Sequence, residues 1–251
     1  MIIKTQAELD GMLAIGRICG NVLKRMGEAV KPGMTTKELD DICGQLFAEY
    51  GAVSAPIHFY KFPGQCCISV NDEVAHGIPG DRVIKAGDLV NIDISAVKDG
   101  FVGDTSATFA VPPVKVVNRK LMDAGKEALE AALNAAVAGK PMNGIGLAAQ
   151  KVARRHGYKI VENLCGHGVG YTLHDKPEAV YNYYEKLDRR MLQHGMCIAI
   201  EPFLSLGDDY VEEEADGWTL KTPNRSQVVQ YEHSVMVRDG EPPLILTLPD
   251  C

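Results

Sequence analysis

Three features that would point to common protein classes are missing from this sequence of 251 residues. The first is a basic cluster: no run of five or more lysines and arginines occurs and the formal net charge is -7, so nucleic acid is not indicated as a partner. The second is an apolar run of the roughly 20 residues that span a bilayer. A signal peptide is not indicated either, since charge appears at Lys4. We therefore expect a cytoplasmic protein without a membrane partner.

The third missing feature is a pair of cysteines in C-x-x-C spacing. Without it, neither a disulfide framework nor a structural zinc site is indicated. The motifs G-x-S-x-G and H-E-x-x-H are also absent, so the common serine-hydrolase and zincin schemes lack support. The odd set of seven cysteines is Cys19, Cys43, Cys66, Cys67, Cys165, Cys197 and Cys251.

The sequence does contain an internal repeat, in which each half begins with a pair of helices. Apolar spacing predicts a helix over residues 7–29, and the next helix opens with a capping box at Thr35 and Glu38. A similar pair follows residue 118, with Asn143 expected to cap its second helix. We predict two similar halves, about 1–115 and 116–251, within a single domain.

Each half continues into strands, and acidic residues keep the register of the repeat. The strands are predicted at 88–97, 101–110, 196–204 and 228–237. Asp93 and Glu201 each follow a glycine by six residues, and the next strands superpose Asp104 on Glu232. Surface carboxylates have no reason to keep such register, so the four acids suggest a shared central site.

The two acids of the first half are expected to lie close together. The Asp-Gly pair at 99–100 is a strong hairpin-turn signal. With those two residues in the turn, Asp93 pairs with Ser106 and Asp104 pairs with Ser95. The two carboxylates are then diagonal neighbours on one face.

Four converging carboxylates repel one another unless they are protonated or neutralised, which favours divalent cations. Two such ions about 3.5 to 4 Å apart form a hydrolytic centre. His167, between two glycines, is the best candidate for an imidazole ligand, because glycine permits close backbone approach. By itself it is equally well explained as a hydrogen-bonded filler. A phosphate-binding loop is weakly supported, since no GK[ST] follows.

The ordered ligand set and the motifs around it strongly resemble methionine aminopeptidase, type I, of the short bacterial form. The motifs are "HGIP", "NIDISAVKDGFVGDTSATF", "CGHGVG", "IEP" and "QYEHSVMV". The resemblance implies the α/β pita-bread fold, in which two pseudo-symmetric halves form a curved antiparallel sheet with helices outside. It also implies two divalent ions (Co, Mn, Fe, Zn or Ni), held by Asp93, Asp104, His167, Glu201 and Glu232, with Asp104 and Glu232 bridging.

The resemblance further implies removal of the N-terminal methionine from nascent chains, with preference for a small second residue. A metal-activated water attacks the first peptide bond while Glu201 shuttles a proton. His174 donates to the developing oxyanion, and His76 contacts the region of the peptide nitrogen or the leaving group. Because its partners would be the N-termini of nascent chains, we expect a monomer that acts near the ribosome.

The methionine pocket implied by the resemblance falls on Phe59, Phe62, Cys67 and Trp218. Both phenylalanines stand where tyrosines are common in relatives, and Leu173 stands where phenylalanine is frequent. The alternatives are an X-Pro aminopeptidase or prolidase and a non-catalytic binding protein of the same fold. The former normally has an additional N-terminal domain, and the latter would not need all five ligands.

Overall fold

The computed structural model describes residues 1–250, so Cys251 lies outside the described residues. Within that range there are five helices: α1 (Gln6–Ala29), α2 (Thr36–Tyr50), α3 (Ala55–Tyr60), α4 (Val116–Ala135) and α5 (Asn143–His156). The fifteen strands are short except for two: β1 (Val53–Ser54), β2 (Cys67–Val70), β3 (Glu73–Ala75), β4 (Leu89–Lys98), β5 (Phe101–Ala110), β6 (Lys159–Ile160), β7 (Cys165–Gly168), β8 (Asp175–Tyr181), β9 (Cys197–Ile200), β10 (Phe203–Ser205), β11 (Glu212–Glu213), β12 (Leu220–Lys221), β13 (Val228–Gln230), β14 (His233–Met236) and β15 (Leu244–Ile245).

The helix starts agree with the sequence in the first half and differ in the second. Thr35 and Glu38 form the predicted capping box of α2, each side chain bonding to the other residue's backbone N–H. The prediction that Asn143 caps α5 was wrong. Met142 occupies the cap position, and Asn143 is the first helical residue. Its side-chain amide instead donates to the Glu185 carbonyl at 3.1 Å, which ties the helix to a loop.

The first half is built on an unbroken hairpin. β4 and β5 pair along their whole length, with Asp93 opposite Ser106 and Ser95 opposite Asp104, as predicted. The turn residues at 99–100 have φ of 52° and 83°, the left-handed values that this tight hairpin turn requires. β1 and β2 also pair antiparallel with β4.

The second half has shorter strands that change sheet. β9 and β14 belong to a five-stranded sheet of order β15-β14-β9-β7-β8, whereas β10 and β13 pair in another sheet with β6. The strands predicted at 196–204 and 228–237 are therefore each interrupted, the first at Glu201 and the second at Glu232. Pro202, which has no N–H to donate to a ladder, helps to end the first.

Each half has its own hydrophobic core, and the halves meet at the centre. α1 and α2 cover the first sheet, and α4 and α5 cover the second. At the junction the Glu232 N–H donates to the Ser106 carbonyl at 3.0 Å, and Ala107 bridges Tyr231. This contact brings Asp104 close to Glu232. None of the helices in residues 1–250 combines the length and the apolar character that crossing a membrane requires.

Candidate metal centre

A cavity of about 350 Å³ opens where the two halves meet. Of the residues that the sequence analysis singled out, eleven line it: Phe62, Cys67, His76, Asp93, Asp104, His167, Leu173, His174, Glu201, Trp218 and Glu232. Phe59 is not among the lining residues. It packs instead against the apolar cluster that contains Met1 and Leu173. The fold therefore gathers ten of the eleven predicted site residues, together with Leu173, around one space.

The acids reach this cavity from four different positions in the sheets. Asp93 and Asp104 project from the middle of β4 and β5, whereas Glu201 follows β9 and Glu232 precedes β14. The side chains are largely removed from water, since Asp104, Glu201 and Glu232 expose 4%, 8% and 2% of their surface. So much buried carboxylate demands either protons or cations.

His167 lies on β7 beside the four acids, and its two glycine neighbours allow β7 to come this close. A Cβ on Gly166 would lie 2.2 Å from the Ala199 carbonyl oxygen, and one on Gly168 would lie 2.2 Å from that of Lys176. Close packing of β7 against its neighbours, rather than an unusual dihedral angle, is therefore what requires glycine here. It sets the imidazole beside the acids.

The orientation of the His167 ring suits a metal ligand. Nδ1 donates to the Gly168 carbonyl at 2.9 Å, which leaves Nε2 facing Asp104 Oδ2 at 3.4 Å and Glu201 Oε1 at 3.6 Å. A backbone acceptor on one ring nitrogen commonly fixes the tautomer and the direction of a metal-binding histidine.

The acids and the imidazole perturb one another strongly. Burial, with the charges of neighbouring acids, raises the pKa values of Asp93 and Glu232 well above their usual range. Burial also raises the pKa of Glu201 to about 8, against the opposing effect of His167. For His167, burial favours the neutral ring, but the hydrogen bond to Asp104 and the charges of Glu201 and Asp104 outweigh it and raise the pKa to about 9. Asp93, Glu201 and Glu232 thus resist ionisation unless positive charge accompanies them.

The residues fit a divalent cation on two grounds. Asp104, His167 and Glu232 each offer a ligand atom, and these atoms lie within 4.8 Å of one another. In addition, Asp93 Oδ1 and Glu232 Oε1 are buried without a hydrogen-bond partner among residues 1–250, which is costly unless something else binds them. Carboxylates with one imidazole suit hard or borderline divalent ions.

Several polar residues that the sequence analysis did not single out hold these ligands. Ser95 Oγ donates to Asp104 Oδ1 at 2.7 Å, and the Ser234 hydroxyl bonds to both the N–H and the carbonyl of Asp104. Gln230 Nε2 donates to Glu201 Oε2 at 2.9 Å. The predicted hairpin register already places Ser95 opposite Asp104, whereas the only sequence signal for Gln230 and Ser234 is their proximity to Glu232 in "QYEHS".

Two further histidines line the cavity near the acids. The His174 ring lies 4.3 Å from the His167 ring, centroid to centroid, and burial together with the charge of His167 lowers its pKa to about 4. His76 has φ of 55°, uncommon for a non-glycine residue, and burial lowers its pKa as well. Tyr60, which the sequence analysis missed, lies with its hydroxyl 2.6 Å from His174 Nδ1.

An apolar compartment adjoins the polar groups. The Phe62 and Trp218 rings pack edge to face with their centroids 5.2 Å apart. Cys67 and Leu173 line the same cavity, and burial raises the pKa of the Cys67 thiol well above its usual range. A neutral thiol beside aromatic rings provides a soft, apolar lining.

Comparison with known proteins agrees with this site. Residues 10–239 match metallopeptidase family M24, and the chain belongs to that family. It is similar to the methionine aminopeptidase of Staphylococcus epidermidis, being 47% identical over 255 residues that cover 100% of both chains. It also resembles the crystal structure of methionine aminopeptidase from Rickettsia prowazekii, with a TM-score of 0.93, 35% identity, and coverage of 99% of this chain and 100% of that one.

More distant members share the fold alone. Prolidase from Pyrococcus furiosus has a TM-score of 0.79 at 22% identity, and the match covers 100% of this chain but 66% of that one. The predicted fold and the predicted methionine aminopeptidase activity are thus both confirmed at the level of the family and its full-length relatives.

Proposed function

We propose that this protein removes the N-terminal methionine from newly made chains with a centre of two divalent ions. The observation that carries the proposal is the single cavity in which a group of metal-ligand atoms adjoins an apolar compartment. Such a space accepts one unbranched side chain beside the bond to be cut. Newly made chains are cytoplasmic substrates, so we assign the protein to that compartment.

The five predicted ligands divide between two ions in the proposal. Asp104 and Glu232, which meet at the junction of the halves, would bridge them. His167 and Glu201 would complete one site and Asp93 the other. Divalent ions held there lower the pKa of a water molecule and polarise a carbonyl group.

Three residues of the chain handle protons and substrate in this proposal. Glu201, ionised once cations are bound, takes a proton from the attacking water and passes it to the leaving amine. His174 is neutral at physiological pH and donates its N–H to the carbonyl oxygen of the scissile bond. His76, which also lines the cavity, contacts the region of the peptide nitrogen or the leaving group.

The methionine side chain is proposed to lie among Phe62, Cys67, Leu173 and Trp218. Sulfur packs well against aromatic rings and another sulfur, and an unbranched chain can lie against the edge-to-face pair of Phe62 and Trp218. Phe59 is left out of this pocket because it does not reach the cavity. Leu173 is smaller than phenylalanine, so a somewhat wider pocket is expected.

The test compares two tripeptides with protein that has been stripped by chelation and restored with one metal at a time. Met-Ala-Ser should be cleaved only after restoration, and an X-Pro peptide should be cleaved poorly. Preference for the X-Pro peptide would overturn the proposed substrate in favour of a prolidase-like activity. Failure of every metal to restore cleavage would instead favour a binding protein of this fold.

A further inference from the structure

Tyr60 makes the one side-chain contact to the His174 ring that has hydrogen-bond geometry among residues 1–250. Its hydroxyl oxygen lies 2.6 Å from Nδ1, and the two rings are tilted with centroids 5.4 Å apart. Both residues line the cavity, although 114 positions separate them in the chain. This contact lies outside the metal ligands and outside the predicted pocket.

The position of Tyr60 is fixed by a short helix tied to the metal-bearing sheet. Tyr60 ends α3, where Lys61 turns left-handed with φ of 59° and its N–H donates to the Ile57 carbonyl at 3.1 Å. At the other end Ser54 caps α3, and Ser54 is also paired with Ala96 of β4. The strand that carries Asp93 therefore also places the Tyr60 hydroxyl.

A hydrogen bond at Nδ1 decides which nitrogen of a neutral imidazole carries the proton. If the tyrosine hydroxyl donates to Nδ1, then Nε2 carries the N–H. A phenol O–H is a stronger hydrogen-bond donor than a neutral imidazole N–H, and an unprotonated imidazole nitrogen is a good acceptor. The 2.6 Å contact is therefore assigned to the hydroxyl donating to Nδ1.

We propose that Tyr60 is a positioning residue that donates to His174 Nδ1 and thereby holds the ring with Nε2–H available to the substrate. The inference rests on the proposed role of His174 in methionine removal. The opposite arrangement, with Nδ1–H donating to Tyr60, would leave Nε2 as an acceptor that cannot stabilise an oxyanion.

The test uses the metal-restored protein and the variant Tyr60→Phe, with Tyr184→Phe as the matched control. Tyr184 is 45% exposed and does not line the cavity. For Tyr60→Phe we expect kcat on Met-Ala-Ser to fall about 10-fold to 100-fold, with KM little changed. This is the usual scale for losing a hydrogen bond that orients a functional histidine without touching the substrate. The control should match the parent protein. In the background of His174→Asn, Tyr60→Phe should cause no further loss.

Nitrogen NMR of histidine-labelled, zinc-loaded protein provides a readout that a merely structural role would not move. The signal assigned by its loss in His174→Asn should show Nε2 protonated in the parent and mixed tautomers in Tyr60→Phe. Protonated Nδ1 in the parent, an unchanged tautomer in the variant, or a rise in KM alone would each overturn the proposal. Because the tautomer is measured without turnover, a parent protein that fails to cleave Met-Ala-Ser refutes the proposed function separately.

Discussion

The two halves of the molecule deliver two acids each to one centre, but by different local structures. In the first half, Asp93 and Asp104 stand in the middle of an unbroken hairpin, where strand register alone makes them neighbours. In the second half, Glu201 and Glu232 stand where strands stop and the chain moves to another sheet. A repeat can therefore preserve the placement of chemical groups while the backbone around them diverges.

The two halves also differ in the side chain that the adjacent strand supplies. β7, which carries His167, pairs with β9 in the second half, as β2, which carries Cys67, pairs with β4 in the first. The first half has no equivalent imidazole among the residues lining the cavity from β4 and β5. His167 gives one acid of each half, Asp104 and Glu201, a cationic partner in the metal-free protein, whereas Asp93 Oδ1 and Glu232 Oε1 have no hydrogen-bond partner among residues 1–250.

The largest effect is expected from breaking the junction between the halves with Asp104→Asn. Asparagine keeps the volume and a hydrogen bond to Ser95 but removes the charge that both proposed metal sites share. We expect activity to fall by about a thousandfold or more, the scale for losing a preorganised electrostatic group. The metal-free variant loses the repulsion from the other acids but also the ion pair with His167, so its melting temperature should stay close to that of the parent.

The readout for the junction is the rise in melting temperature on adding metal. A ligand present at 100 times its Kd stabilises the folded state by about 2.7 kcal/mol, and this gain should vanish in Asp104→Asn. A variant that keeps both its metal-induced stabilisation and its activity would contradict the bridging role.

The next largest effect concerns Asp93 and Glu201, which occupy equivalent positions in the repeat. Their variants should lose activity for different reasons. We expect Glu201→Gln to fold normally, since glutamine can still accept the bond from Gln230, and to lose about 10²-fold to 10⁴-fold in kcat. Asp93→Asn should lose activity mainly through weaker metal binding, so excess metal should restore part of it. Full turnover by Glu201→Gln would refute its role as the proton carrier, and equal rescue of both variants by metal would show that the two positions act alike.

The sequence anticipated the first half better than the second for a physical reason. The hairpin register follows from a local signal, the Asp-Gly turn at 99–100, and from strict pairing beyond it. The break at Glu201 has buried apolar residues on both sides, and the break at Glu232 lies between the buried Tyr231 and the next strand, so both stretches resemble continuous strand in the sequence. The ligands could be named without knowing those breaks. The contact of Tyr60 with His174 joins residues that no local spacing connects.

A smaller effect, on pH dependence, tests whether His167 makes the second half different. Binding of a cation requires neutral His167 and ionised Glu201, whose pKa values in the metal-free protein are about 9 and about 8. At pH 7 both groups hold protons that binding must release. Metal affinity should therefore rise as pH increases from 6 to 9, by up to about tenfold per pH unit for each proton released.

Titration calorimetry of metal binding in two buffers of different ionisation enthalpy measures the proton count directly. A net release of protons at pH 7 is expected for the parent protein, and a smaller release for Glu201→Gln, which has no proton to lose at that position. Binding that is independent of pH across this range would exclude the proposed coupling.

The smallest effect compares two serines that stand opposite the acids of the hairpin. Ser95 donates to Asp104 at 2.7 Å, whereas the buried Ser106 hydroxyl has no partner of acceptable geometry in the described part of the chain. We expect Ser95→Ala to cost about 1 kcal/mol in the free energy of unfolding, because a hydrogen bond to a carboxylate is lost. Ser106→Ala should be neutral or slightly stabilising, because it removes an unpaired polar group. Chemical denaturation of both metal-free variants measures these free energies of unfolding. Equal losses in the two variants would mean that the hairpin holds its two acids in the same way. The asymmetry of the site would then arise entirely in the second half.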